Sequence, residues 1–168
     1  AMLVPEQLVA AAQFSVSCKR MASYLLRGES VDDTVASFGR GLRELAPLQR
    51  EIERCIRADA VTADATPALR ATRRRMEYTE GQIKEKLNHI LKSRKQYLSD
   101  SYISIRSGRY VLPVQRKYQN QFGGSVVEVS GKGGTVFMQP DAIARLQGEL
   151  SALAIEEDGE IRRILYVL

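Results

Sequence analysis

With 168 residues, 44% of them apolar, the chain can bury a real core as one domain, or as one elongated domain with a small insert. That composition excludes a disordered tail, and no run approaches the roughly 18 consecutive apolar residues of a membrane span. The net charge of +5 is unevenly spread: residues 70–132 hold 14 Lys or Arg against 5 Asp or Glu, a balance of +9, and the remainder carries −4.

A segment this basic in an otherwise acidic chain points to a polyanion partner, although long helices also carry solvated charge for solubility. The opening "AMLVPEQLVAAAQ" has neither the basic flank nor the apolar centre of a signal peptide, so a soluble, cytoplasmic location is expected. Cys18, Cys55 and the single histidine, His89, are too far apart for a zinc or redox motif, and no metal site is expected.

Pro5 suits the first position of a helix, and Leu8, Val9, Ala12, Val16 and Leu25 recur on a helical period until Gly28. A second helical segment is expected from about Val31 to Leu45. Pro47 restarts or kinks it, so that Leu48, Ile52, Cys55 and Ile56 form a stripe ending near Arg57. The stretch "DAVTADAT" then breaks the pattern.

Thr66-Pro67 reads as an N-cap followed by proline at the first helical position, and nothing but Gly81 interrupts the helix before about Leu98. Leu69, Met76, Ile83, Ile90 and Tyr97 recur every seven residues as one seam, while the companion positions Arg73, Glu80, Leu87 and Arg94 are mostly polar. A helix of about 30 residues would reach roughly 45 Å, which is the length of a lever.

After Asp100 the period changes to two. In "YISIRSGRYVLPV" Ile103 and Ile105 share a face, Ser-Gly can form a two-residue turn, and Tyr110, Leu112 and Val114 alternate on the return strand. Pro113 removes a ladder donor, which predicts an edge strand or a bulge. "SVVEVS" and "TVFMQ", joined by "GKGG", make a second hairpin. Pro140-Asp141 opens a last helix with Ile143, Leu146, Leu150 and Leu153, resuming after "EEDGE" with Ile161, Ile164, Leu165 and Leu168. The stripe stops unfinished at Leu168, which points to a segment cut from a longer chain, with the initial Ala-Met a cloning remnant.

The expected fold class is therefore α+β, mainly α: an elongated helical lever bundle with a small antiparallel β insert between two long helices. The divisions read as 1–100 for the helical core and first lever helix, 101–140 for a clamp-like insert, and 141–168 for the returning helix.

Catalysis finds little support. His89 sits in mid-helix, and Glu156, Glu157, Asp158 and Glu160 read as a solvated face. "GGSVVEVSGKGGT" fails the phosphate-loop spacing, because six residues separate Gly124 from Gly131 and Gly133 follows Lys132. What survives is the insert itself, where Arg106, Arg109, Arg116, Lys117 and Lys132 face a single acid, Glu128, and interleave with Tyr102, Tyr110, Tyr118 and Phe122. Such cations and aromatics suit a sequence-independent nucleic-acid contact, and they suit equally an edge strand kept soluble by charge. The candidate contacts are Arg106, Arg109, Arg116, Lys117, Lys132 and Tyr118.

"SYISIRSGRYVLPVQRKY", "GGSVVEVSGKGGTVFMQP" and "LQGELSALAIEEDGEIRRIL" closely resemble the MutSB family, the second bacterial branch of MutS-like ATPases. Its members carry an "ITIRxGRYVIPVK" stretch, then "SxxGxTxFxEP", then a long acidic helix. The resemblance covers nearly the whole chain and implies a core, lever and clamp region that contacts DNA in recombination control or repair. The alternatives it leaves are a ribosome or rRNA-docking arm that rescues collided ribosomes, or a purely mechanical element. It implies a homodimeric parent with no membrane partner, whose ATP and Mg lie in an ATPase domain absent from these residues, as is an Smr nuclease domain. No enzyme activity or cofactor is then expected in this stretch. Gln115, Val127, Glu128 and Gln139 depart from the family pattern, whereas Arg109, Tyr110, Pro113 and Thr135 match it.

Overall fold

A computed structural model describes residues 2–31, 33–42 and 45–168. The fold is α+β and mainly α, with a two-stranded and a four-stranded antiparallel sheet. The chain divides into two compact units, one built from residues 1–71 with 157–168 and the other from Thr72–Glu156.

In the first unit, α1 (Pro5–Arg27) opens on proline, and the Gln7 side chain accepts from the Val4 amide at 3.1 Å. It packs antiparallel to α2 (Asp33–Gly41), closely at Gly39, where a Cβ would lie a tight 3.1 Å from Ala22 O and Leu25 Cβ. The expected last turn of this segment, at residues 43 and 44, lies outside the described residues. Pro47 begins α3 (Ala46–Cys55) in its first turn, as the restart predicted. Leu8, Ala12, Ile52, Cys55, Ile56, Val61, Ala65, Leu69, Ile164 and Leu165 form the core.

The break read at "DAVTADAT" is in part a hairpin. Strands β1 (Ile56–Arg57) and β2 (Ala60–Val61) pair through a two-residue turn whose Ala58 and Asp59 both have positive φ, 48° and 58°. Neither residue is glycine, so the turn is strained; burial of Ile56 and Val61 holds it closed. Replacing Ala58-Asp59 by Asn-Gly is expected to raise unfolding stability by about 1 kcal/mol, measured by urea denaturation.

Thr66 caps α4 (Pro67–Ser93): its Oγ1 accepts from the Leu69 amide at 3.1 Å and donates to Glu160 Oε1 at 2.8 Å. Arg163 grips the same carboxylate with two bonds, of 2.7 and 3.0 Å. Hydrogen bonding from Arg163, and then from Thr66, lowers the Glu160 carboxyl to about 2. Because the folded value lies below the unfolded one, this contribution is complete above the ordinary carboxylate range and is lost as pH falls toward 2. A Glu160→Gln variant should show a flatter loss of stability through that acid window in pH-dependent melting.

The second unit holds a sheet in the order β3, β4, β6, β5, comprising β3 (Ser104–Arg106), β4 (Arg109–Gln115), β5 (Gly124–Val129) and β6 (Thr135–Pro140). A short helix, α5 (Gln119–Phe122), follows β4. The predicted Ser-Gly turn is present, with φ of 48° at Ser107 and 72° at Gly108. Tyr110, Leu112, Val114, Val136 and Met138 pack against Ile83, Leu87 and Ile90 of α4 and against Leu146 and Leu150 of α6 (Ala144–Val167). Both helices thus bury a stripe on one sheet face, and they run antiparallel, with Thr72 Oγ1 donating to Glu156 at 2.9 Å. The Gln147 side chain accepts from the Tyr110 amide at 3.0 Å and so ties α6 to the start of β4.

Two expectations are corrected. Strand β4 is central and not at an edge, because β3 stops at its pairing with Val111. At Pro113, β6 is the laddered neighbour, and the missing N–H faces the side that β3 has vacated, where Pro113 O accepts from the Ser99 amide. Helix α6 also does not restart after "EEDGE" but runs unbroken through Gly148 and Gly159.

Candidate nucleic-acid interface

Three segments distant in sequence meet at the C-terminal end of β4. The first is the 3₁₀ turn Lys95–Tyr97 that follows α4, the second is the 3₁₀ turn Arg116–Tyr118, and the third is the loop 130–134 between β5 and β6. Gln115 Nε2 donates to Leu98 O at 2.9 Å and to Gln96 O at 3.4 Å, and Tyr97 meets Tyr118 edge to face with centroids 5.3 Å apart. The Arg116 amide donates to Gly134 O at 3.0 Å, and its guanidinium donates to Gly133 O at 3.3 Å. Gly133 sits at φ 71°, the left-handed conformation that lets this turn close against Ser130.

Lys95, Arg116, Lys117 and Lys132 are consequently gathered at one end of the sheet, all exposed. Residues 92–98, 115–122 and 130–134 contain no Asp or Glu. Among the described residues no carboxylate pairs with any of the four cations. Such a group attracts an incoming polyanion, with no carboxylate within ion-pairing distance of it among the described residues.

The six residues singled out from the sequence fall into two groups. Arg116, Lys117, Lys132 and Tyr118 belong to this end, although Tyr118 is half-buried, with Lys117 Nζ 4.8 Å from its ring centre and Tyr97 against it. Its ring is thereby engaged within the protein. Arg109 is exposed at the opposite end of β4, six residues and about 20 Å along the strand.

Arg106 lies across the sheet, with its guanidinium 4.4 Å from the Phe137 ring centre and 3.8 Å from Glu128 Oε1, and it ties edge strand β3 to β6 and β5. Its Nε is buried without a partner, as is Gln139 Oε1. Lys95 was missed by sequence reasoning. The signal available was the basic run Lys92, Arg94, Lys95 directly before the first hairpin, but only the fold brings it to Arg116. Arg94, still exposed, donates to Phe122 O with its guanidinium 5.8 Å from that ring's centre.

Among the described residues there is no group of three or more His, Cys, Asp or Glu placed to hold a metal, and no helix is long and apolar enough to cross a membrane.

The fold and this site together describe a mainly helical chain carrying a small sheet with one cationic end. No family model matches it. The chain is similar to proteins named Endonuclease MutS2, whose name marks them as MutS-related. That of Lachnoclostridium phytofermentans is 40% identical over 140 residues, covering 82% of this chain and 18% of that protein. The Clostridium botulinum (strain Alaska E43) protein is 34% identical over 174 residues, covering 99% and 22%. The Brevibacillus brevis protein is 34% identical over 178 residues, covering 100% and 22%. The chain thus spans about a fifth of the length of the curated relatives it matches.

Proposed function

We propose that this chain is a noncatalytic stretch of a MutS-related protein of the MutSB branch, and that the cationic end of its sheet contacts the phosphate backbone of duplex or branched DNA. The observation that supports this is the convergence of Lys95, Arg116, Lys117 and Lys132 from three acid-free segments at one place. Cations on a rigid sheet end neutralise phosphates without reading bases, so binding is independent of sequence and steeply dependent on salt. In this reading the sheet acts as a clamp between lever helices of a homodimeric parent, and ATP with Mg and any cleavage belong to the remainder of that parent.

The test is equilibrium binding of the 168-residue chain to a labelled duplex and a four-way junction from low to physiological salt. Four neutralised phosphates predict a slope of log K against log salt of roughly −3 to −4, at about −0.9 per phosphate. Absence of binding at the lowest salt would sink the reading. The relatives' name does not favour the ribosome-docking alternative; co-sedimentation with stalled ribosome pairs, in a chain that ignores DNA, would reinstate it.

A further inference from the structure

Three neighbouring backbone segments deliver the cations at the end of the sheet. Leu98 bridges to Val114, and Val114 pairs with Val136, so the stretches that carry Lys95, Arg116 with Lys117, and Lys132 lie side by side. At about 4.8 Å between neighbours, they span about 10 Å. Four cations in so narrow a patch are neutralised best by several closely spaced negative charges.

The loop between β5 and β6 adds uncharged donors. Its turn closes through Gly133 N donating to Ser130 O at 2.8 Å and Ser130 N donating to Thr135 O at 2.9 Å. The amides of Gly131, Lys132 and Gly134 have no protein acceptor among the described residues. An added Cβ at Gly131 or Gly134 would meet nothing within 4 Å, so an anion can approach that backbone closely. Free amides around a left-handed residue, here Gly133 at φ 71°, are the backbone form of an anion-binding concavity.

Nothing comparable is offered to a base. Tyr97 and Tyr118, the aromatic side chains of the two 3₁₀ turns, are half-buried, packed edge to face on each other and against the core, with Lys117 over the Tyr118 ring. The Arg116 guanidinium is engaged with Gly133 O and is not a free fork for a base edge. A ligand made only of phosphates therefore meets every donor that a nucleic acid would meet. In a flexible chain whose phosphates share single bridging oxygens, the charges also lie closer together than in a sugar-linked backbone.

We propose that the cationic end of the sheet binds linear inorganic polyphosphate, which competes with DNA for Lys95, Arg116, Lys117 and Lys132 and so regulates that contact. The inference rests on the site of the preceding reading, and not on DNA being its ligand.

Fluorescence anisotropy of a labelled long-chain polyphosphate, titrated with the 168-residue chain in buffer free of divalent cations, tests it. Four neutralised phosphates predict a slope of log K against log salt of about −3, at roughly −0.7 each as for a flexible single strand. Tripolyphosphate should compete at least tenfold more weakly than the long chain, and guanosine triphosphate no better than tripolyphosphate. Lys95→Gln and Lys132→Gln, both at exposed positions, should each weaken binding by about three- to tenfold, while Arg109→Gln at the far end of β4 leaves it unchanged. Absence of binding at the lowest salt overturns the inference. So does an equal loss from Arg109→Gln, or a tenfold preference for guanosine triphosphate over tripolyphosphate, since the nucleoside would then carry recognition. A labelled duplex, displaced by the long chain, separates the two claims. If the duplex binds and polyphosphate does not, this inference fails and the DNA reading stands; if polyphosphate binds and the duplex does not, the DNA reading fails and polyphosphate is the ligand of the site.

Discussion

Gly124→Ala is expected to destabilise the second unit by on the order of 3 kcal/mol or more, the range reached when a substitution forces backbone out of place. Gly124 opens β5 at φ 155°, and a Cβ there would fall on Gln139 O, well inside van der Waals contact, and 3.1 Å from both Gln139 C and Pro140 Cα. Those atoms are backbone of β6, which is laddered to β5 there and buried along Val136–Pro140, so none of them can move aside as a side-chain tip would. In a chain of this size such a loss lowers the melting midpoint by roughly 6–12 °C. Gly131→Ala and Gly134→Ala, where an added Cβ meets nothing within 4 Å, provide the comparison and should stay within about 0.5 kcal/mol of the parent. Equal unfolding curves for Gly124→Ala and Gly131→Ala would show that β5 does not approach β6 as described.

What could be read from sequence follows the range of the interactions involved. The β3–β4 hairpin was legible because both its signals are local: alternation of Ile103, Ile105, Tyr110, Leu112 and Val114, and a Ser-Gly pair able to take positive φ. Thr66-Pro67 was legible for the same reason, since a cap and a fixed φ act within one turn. The β1–β2 hairpin was hidden because its turn, Ala58-Asp59, lacks the residues that normally mark one; a core contact through Ile56 and Val61 overrides the local preference. Pro113 misled because a proline reports on one side of a strand, and on that side β3 has ended and only the Ser99 segment lies against it, so the lost donor is tolerated. The site was half legible. Arg116, Lys117 and Lys132 are marked by composition, but the arrival of Lys95 and the capture of Arg106 by Glu128 and Phe137 are tertiary facts without a local signature.

That difference between the cations sets the second large effect. Replacing Lys95, Lys117 and Lys132 together by glutamine should lower the magnitude of the salt slope for duplex binding by about 3 and weaken binding at low salt by roughly 10²–10³-fold, at about one slope unit for each phosphate left without its cation. Arg116 is left intact in this variant because its guanidinium also holds the loop through Gly133 O, so its removal would mix folding with binding. Arg106→Met should behave in the opposite way. Its partners are Glu128 and the Phe137 ring, and a half-exposed ion pair with a cation–π contact contributes about 1 kcal/mol, so stability falls slightly while the salt slope stays. Arg109→Gln, about 20 Å away, reports how far the bound DNA runs along the sheet, because a shallower slope there means that the DNA spans both ends of β4. If the triple variant keeps the parent slope while Arg106→Met loses it, the cations that matter are those lying across the sheet, and the phosphates sit over Phe137 on the sheet face and not at the loop end.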